Sequence, residues 1–100
     1  MARLHSEQMV RLGFFSHETP DGLQLRDRAH AAGILRFLVL GENITRNQGF
    51  DDPGAFAVEV WMRSPGHRAN ILNVQFKQSA IGVFTAPDGT VYLTQDFIAR

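Results

Sequence analysis

The last quarter of the chain constrains the rest most strongly. Residues 78–84 and 90–98 are runs rich in β-branched and aromatic side chains, and between them stands Ala86-Pro87-Asp88-Gly89. Asp-Gly between such runs reverses the chain into a hairpin. Within the first run Ile81 and Val83 fall on one face, with Ala80 and Phe84 on the other, because strand side chains alternate. A hairpin apolar on both faces needs cover on both, and the patterns upstream are mainly helical. The predicted fold class is therefore α+β, a three-layer α-β-α sandwich around a small antiparallel sheet. One hundred residues suffice for one core, so residues 1–100 are read as a single domain.

Residues 2–14 have helical propensity, although Leu4, Met9, Val10, Leu12 and Phe14 form no single stripe. Such a helix packs on more than one side. A loop carrying His17 follows from Gly13 to Gly22, with Thr19-Pro20-Asp21-Gly22 as its turn. Leu23 to Ala32 reads as a helix closed by Gly33. Phe37 to Leu40 reads as a short strand that ends in a Gly-flanked turn, Gly41-Glu42-Asn43-Ile44. Asp52 caps a helix with Pro53 at its first position, reaching about Arg63. Ala55, Val58 and Met62 share one face there, with Phe56 and Val60 widening the apolar surface. Glu59 and Arg63 form an exposed i,i+4 pair. Ser64 is expected to cap the next helix, with Pro65 at its first position and His67 on its first turn.

Charge and composition exclude several classes. Ten Lys and Arg balance ten Asp and Glu, so no basic excess points to nucleic acid. With no cysteine there is no disulfide, thiolate zinc site or cysteine nucleophile. The apolar run Ile34 to Leu40 is short and carries Arg36, too little to cross a bilayer. Met1 leads directly into a polar helix rather than an apolar leader, which leaves a cytosolic chain and a trimmed one both open. The uncapped start reads as a beginning in mid-structure, that is, an N-terminally truncated domain.

Two histidines sit where loops gather. His67 lies near the positive end of a helix dipole, which disfavours imidazolium and keeps the ring a ligand or base. Together with His17 and Glu42 it makes a plausible zinc set with one open position. The spacing matches no local zinc motif, and the plainer alternative is that all three make structural hydrogen bonds. His5 and His30 read as surface or boundary residues. A Ser64-His67-Glu42 hydrolase lacks a Gly-x-Ser-x-Gly elbow, and Ser64 already has a capping role. Asn43-Ile44-Thr45 spells an N-glycosylation acceptor.

The ordered residues resemble the CAP superfamily of cysteine-rich secretory, antigen 5 and plant pathogenesis-related proteins, in its cysteine-free bacterial SCP-like extracellular branch. The matches are His5-Ser6 with Met9, Phe15-Ser16-His17, Asp21-Gly22, Arg28 with Gly33, and Gly41-Glu42-Asn43-Ile44. They continue through Trp61, Ser64-Pro65-Gly66-His67-Arg68-Ala69-Asn70-Ile71-Leu72, Ile81-Gly82-Val83, and Tyr92 with Thr94-Gln95-Asp96-Phe97. The resemblance implies an α-β-α sandwich with a cleft at His17, Glu42 and His67, able to hold zinc or another divalent ion, with Ser64 and Asn43 supporting it. It implies secretion, and a small lipid or peptide as ligand, but no agreed enzymatic activity.

Two departures stand out. Ser64 occupies the place of a second cleft glutamate, and Glu59 is rotated roughly 140° from it along the helix. The family's first N-terminal helix is missing, so its covering face is expected to be exposed and to drive self-association. The leading reading is a non-catalytic extracellular binding domain. The runner-up is a zinc hydrolase with Glu42 as candidate base, and the third is a structural or recognition domain.

Overall fold

A computed structural model describes all 100 residues. In chain order the elements are α1 (Ala2–Leu12), α2 (Leu25–Ala31), β1 (Val39–Asn47), α3 (Pro53–Arg63), α4 (Pro65–Leu72), β2 (Gln78–Thr85) and β3 (Val91–Ala99). The three strands form one antiparallel sheet in the order β1-β3-β2. The hairpin supplies β2 and β3, and β1 adds to the free side of β3. Side-chain alternation then sorts the sheet into two faces. Glu42, Ile44, Gly82, Thr94 and Asp96 share the face covered by α1 and α2. Asn43, Leu93, Gln95 and Phe97 share the face covered by α3 and α4.

The α3 and α4 side holds the apolar core. Ala57 and Trp61, one turn apart on α3, close over Leu93, with Ile71 and Val91 packed at the margin. Trp61 is wholly buried and its indole N–H donates to the Ile44 carbonyl at 3.2 Å, so its one polar atom is satisfied. Phe76 stacks on Phe97 and fills the space above Gly41, where a Cβ would come within 2.8 Å of the Phe76 ring. The Asp52 carboxylate caps α3 by accepting from the Ala55 N–H at 3.0 Å.

On the other side α1 lies almost on the backbone of β2. A Cβ at Gly82 would fall 2.0 Å from the Arg3 nitrogen, so only glycine allows this approach. The Ser6 hydroxyl donates to the Gly82 carbonyl at 2.9 Å and is 2.8 Å from the Thr94 hydroxyl. The buried stripe of α1 is Ala2, His5, Ser6 and Met9. It is half polar, which is why the apolar residues alone show no stripe.

Several expectations need correcting. The segment Gly41-Glu42-Asn43-Ile44 is the middle of a nine-residue strand, not a turn after a short one; pairing with β3 overrides the poor strand propensity of Gly and Asn. The buried face of α3 is Ala57 and Trp61, while Ala55 and Val58 are exposed. Ser64 precedes α4 but its side chain makes no capping hydrogen bond. Ile81 and Val83 keep 45% and 42% of their surface exposed, because β2 is an edge strand incompletely covered on that face. No helix is long and apolar enough to cross a membrane.

Candidate functional site

Glu42, on β1, is the hub. Its side chain is 1% exposed, and a carboxylate so deeply placed requires compensation. Arg28 reaches it from α2, with Nη2 2.6 Å from Oε1 and 2.7 Å from Oε2. His17, from the α1–α2 loop, places Nδ1 2.8 Å from Oε1, and His5 from α1 brings Nε2 to 4.0 Å from the same oxygen. Burial alone would raise the Glu42 carboxyl, but hydrogen bonds with His17, Asp96 and Arg28, and the Arg28 charge, pull it down to about 2.

Asp96 is the direct cross-strand partner of Glu42 and behaves in the opposite way. Burial, the hydrogen bond to Glu42 and the adjacent negative charge push it up to about 9. Two carboxyls packed together in one apolar setting cannot both ionise. Neither Asp96 oxygen finds a donor among the protein groups, which suits a carboxyl that keeps its proton. Glu42 is therefore the ionised member and Asp96 the neutral one.

The neighbouring residue Asn43 points to the opposite face and holds α4. Its Nδ2 donates to the His67 carbonyl at 3.1 Å and to Gln95 Oε1 at 3.2 Å. Asn70 Nδ2 donates to Asn43 Oδ1 at 2.9 Å and to the Glu42 carbonyl at 3.3 Å. Two consecutive strand residues thus anchor both histidines, Glu42 through the His17 ring and Asn43 through the His67 backbone. His67 is pushed down in pKa by burial and then by the nearby His17, so a neutral ring is favoured, as the sequence leads one to expect. Burial contributes more to this than the helix terminus on which that expectation rests.

These contacts define what the rings can do. With Glu42 ionised, His17 Nδ1–H is the donor of this bond, in a side chain 54% exposed, and in the neutral ring that leaves the lone pair on Nε2. His67 Nδ1 is buried and without a partner. The His67 ring lies near enough to His17 to feel its charge. No three His, Asp or Glu side chains come close enough to hold an ion together. Both Glu42 oxygens already carry Arg28, and Oε1 also meets His17 Nδ1. A carboxylate held at about 2 and enclosed by a guanidinium is also unsuited to the general-base role.

Other site expectations divide. Asn43 holds α4 through the His67 carbonyl and Asn70, whereas the Ser64 side chain makes no capping hydrogen bond. His5 is interior, with Nε2 2.7 Å from the Ser16 carbonyl; burial, then Arg28, lowers its pKa. His30 is exposed against Phe37, in keeping with the surface reading. Asn43 is fully buried and hydrogen-bonded, so its acceptor triplet is inaccessible. Sequence reasoning assigns no separate role to Arg28, Asp96, Gln95 or Asn70. One signal for Asp96 exists: a charged residue on a strand covered on both faces must find a partner.

Comparison with known proteins agrees with this architecture. The profile of the CAP, or cysteine-rich secretory protein, family matches residues 1–97. The chain belongs to that family, although it contains no cysteine. It is 38% identical over 96 residues to the "uncharacterized membrane protein YlbC" of Bacillus subtilis (strain 168), covering 96% of this chain and 25% of YlbC. It is 35% identical over 99 residues to YkwD of the same bacterium, covering 99% of this chain and 36% of YkwD. The chain thus spans a quarter to about a third of these relatives. Among solved structures, an outer surface protein from Borrelia burgdorferi superposes with a TM-score of 0.83 at 16% identity, covering 99% of this chain and 70% of that one. At that identity the likeness establishes the fold.

Proposed function

We propose that this domain is a non-catalytic binding module whose cleft takes a divalent metal ion, zinc being the best match, between His17 and His67. The observation that carries the reading is the Arg28–Glu42–His17 chain. Glu42 accepts the Nδ1 proton, so the exposed Nε2 of His17 is left as the donor atom, the arrangement by which carboxylates orient metal-binding imidazoles. His67, whose ring favours its neutral form, supplies a second nitrogen. Two nitrogen ligands leave positions open for a small ligand or a partner's side chain. A bound ion there would supply Lewis acidity. The hydrolase alternative has little support, because the nearby carboxylate is already paired with Arg28 and no second one replaces it.

An extracellular setting is supported by the secretory family and by a structural neighbour named as an outer surface protein. Exposed Leu35 and Leu38 support the further reading that the domain meets a lipid, a peptide or another copy of itself.

Zinc calorimetry on the wild type, His67→Ala and Glu42→Gln, with folding checked by circular dichroism, tests the proposal. Uptake is expected in the wild type, lost in His67→Ala and weakened about 10–100-fold in Glu42→Gln. Zinc uptake unchanged in folded His67→Ala contradicts the site. Peptide or ester turnover that tracks zinc occupancy contradicts the non-catalytic reading.

A further inference from the structure

The two ends of the sheet differ in charge. At one end the chain enters β1 from residues 32–38, enters β2 from residues 73–77, and leaves β3 at Arg100. Backbone bonds tie these segments to the sheet and to one another: the Leu38 N–H donates to the Ala99 carbonyl at 2.7 Å and the Lys77 N–H to the Ile98 carbonyl at 3.2 Å. Arg100 Nε donates to Gln78 Oε1 at 2.8 Å. The segments carry Arg36, Lys77 and Arg100, all exposed, and no acidic side chain. At the opposite end, residues 48–52 and 86–90 carry Asp51, Asp52 and Asp88, all exposed, and no basic one. A chain without net charge is thus polarised along its strands. The nine residues of β1 separate the ends by roughly 30 Å, about three Debye lengths at 0.1 M salt, so each end meets its surroundings independently. Other charges near the basic end offset one another. Arg26 and Asp27 line the same hollow as Phe37 and Leu38, the chain termini bring one charge of each sign, and Asp96 is buried and neutral.

The basic end also bears the three most exposed large apolar side chains of the molecule, Val74, Leu38 and Leu35, at 81%, 80% and 69%. Each stands within three residues of Lys77 or Arg36 in the chain. We propose that this end docks on the surface of an anionic lipid bilayer, with Leu35, Leu38 and Val74 in the acyl boundary and Arg36, Lys77 and Arg100 at the headgroup phosphates. The proposal rests on the reading that the domain meets a lipid, and is independent of the metal site. Two requirements select a bilayer. The apolar side chains come from two separate segments, and a fluid acyl boundary accepts them without a shaped pocket. The bases need anions beside that apolar layer, and charged headgroups supply them at its rim. A free phosphate pairs with the bases but leaves the leucines and Val74 in water. An uncharged apolar partner leaves the bases unmatched. Lysine and arginine suit such a boundary, because their stems lie along apolar surface while their charged heads stay at the phosphates. The same membrane repels the three aspartates, which turns the acidic end away from it.

Vesicle flotation with metal-free protein tests this, using phosphatidylcholine alone and an equal mixture of phosphatidylcholine and phosphatidylglycerol. Binding to the mixed vesicles is expected to be about tenfold or more tighter than to the neutral ones, and to weaken as salt is added. Arg36→Gln and Lys77→Gln are each expected to weaken it about fivefold, and Leu38→Ser and Val74→Ser about tenfold. Asp51→Asn, an exposed change at the far end, is expected to leave it unchanged. Leu38→Trp reports depth, since Trp61 is wholly buried, and its emission is expected to shift to the blue on mixed vesicles. Absence of binding to either vesicle overturns the proposal and the lipid reading together. Equal binding to both vesicles, or wild-type affinity in Leu38→Ser and Arg36→Gln, overturns this face and leaves lipid contact standing. So does a Leu38→Trp emission that stays unshifted on bound protein. None of these outcomes depends on zinc uptake at His17 and His67.

Discussion

The two faces of the sheet solve different problems with the same three strands. Under α3 and α4 the contacts are apolar and closely packed, with Trp61, Ala57 and Leu93 together and Phe76 stacked on Phe97. Under α1 and α2 the apolar residues Ala2, Met9, Ala29 and Ile44 share the interior with six buried polar ones, Ser6, Thr94, His5, Arg28, Glu42 and Asp96. Apolar burial stabilises without regard to direction, at roughly 25 cal/mol per Å², whereas a buried ion pair contributes little net stability because desolvation offsets the Coulomb attraction. The α3 and α4 side carries the largest apolar cluster, and the polar groups of the other side fix the orientation of particular atoms. His17 is oriented from the polar side, and the backbone of His67 is anchored from the apolar side, at consecutive residues of β1.

The contrast can be broken at its strongest point first. Trp61→Ala removes the largest wholly buried side chain and is expected to cost about 3–5 kcal/mol. In a domain this small such a loss brings the chain close to unfolding, as urea denaturation would show. Arg28→Leu is expected to cost a similar amount, about 3–5 kcal/mol, for a different reason: it leaves Glu42 buried and uncompensated. The faces are distinguished by rescue. Adding Glu42→Leu to Arg28→Leu is expected to restore most of the stability, whereas no polar exchange rescues Trp61→Ala.

A smaller effect sharpens the contrast through pH. Glu42 has a folded pKa depressed from 4.5 to about 2, so its contribution is present above pH 4.5 and is lost as pH falls towards 2. Asp96 has a folded pKa raised from 3.8 to about 9, so its contribution is present below 3.8 and fades as pH rises through 9. Taken alone, these two carboxyls make stability greatest near pH 4 and lower towards pH 8, by at most about 1.4 kcal/mol per pH unit; the lowered pKa values of His5 and His67 oppose this below about pH 6.5. Asp96→Asn, which cannot ionise, is expected to flatten the alkaline side and leave the acid side in place. Denaturation midpoints at pH 4, 6 and 8 check this; a variant with the wild-type slope would show that Asp96 is not the group responsible. The smallest effect belongs to the start of α3, where Asp52→Ala is expected to cost about 1 kcal/mol through loss of one capping bond.

Legibility in the sequence follows the range of the interactions. The hairpin and the start of α3 are readable because Asp88-Gly89 and Asp52-Pro53 dictate local geometry. From both-face patterning of the hairpin comes the sandwich. β1 reads too short because Gly41, Glu42 and Asn43 look like a turn, and only pairing with the distant β3 makes them a strand. His5 reads as a surface residue because its partner is a backbone carbonyl, which leaves no mark in the sequence. The pairing of Glu42 with Arg28 and Asp96 joins three elements far apart in the chain, and no spacing rule encodes it. His17, Glu42 and His67 are candidates by family resemblance, but the division of roles among them requires coordinates.

Ionised and locked by Arg28, Glu42 holds the Nδ1 proton of His17, which leaves Nε2 as the free nitrogen of a neutral ring. Imidazole nitrogen chemical shifts of His17 in the metal-free protein near neutral pH measure this directly. The predicted spectrum has a protonated Nδ1 and an unprotonated Nε2, and that pattern is lost in Glu42→Gln. A wild-type His17 found mainly in the Nε2–H form would contradict the account.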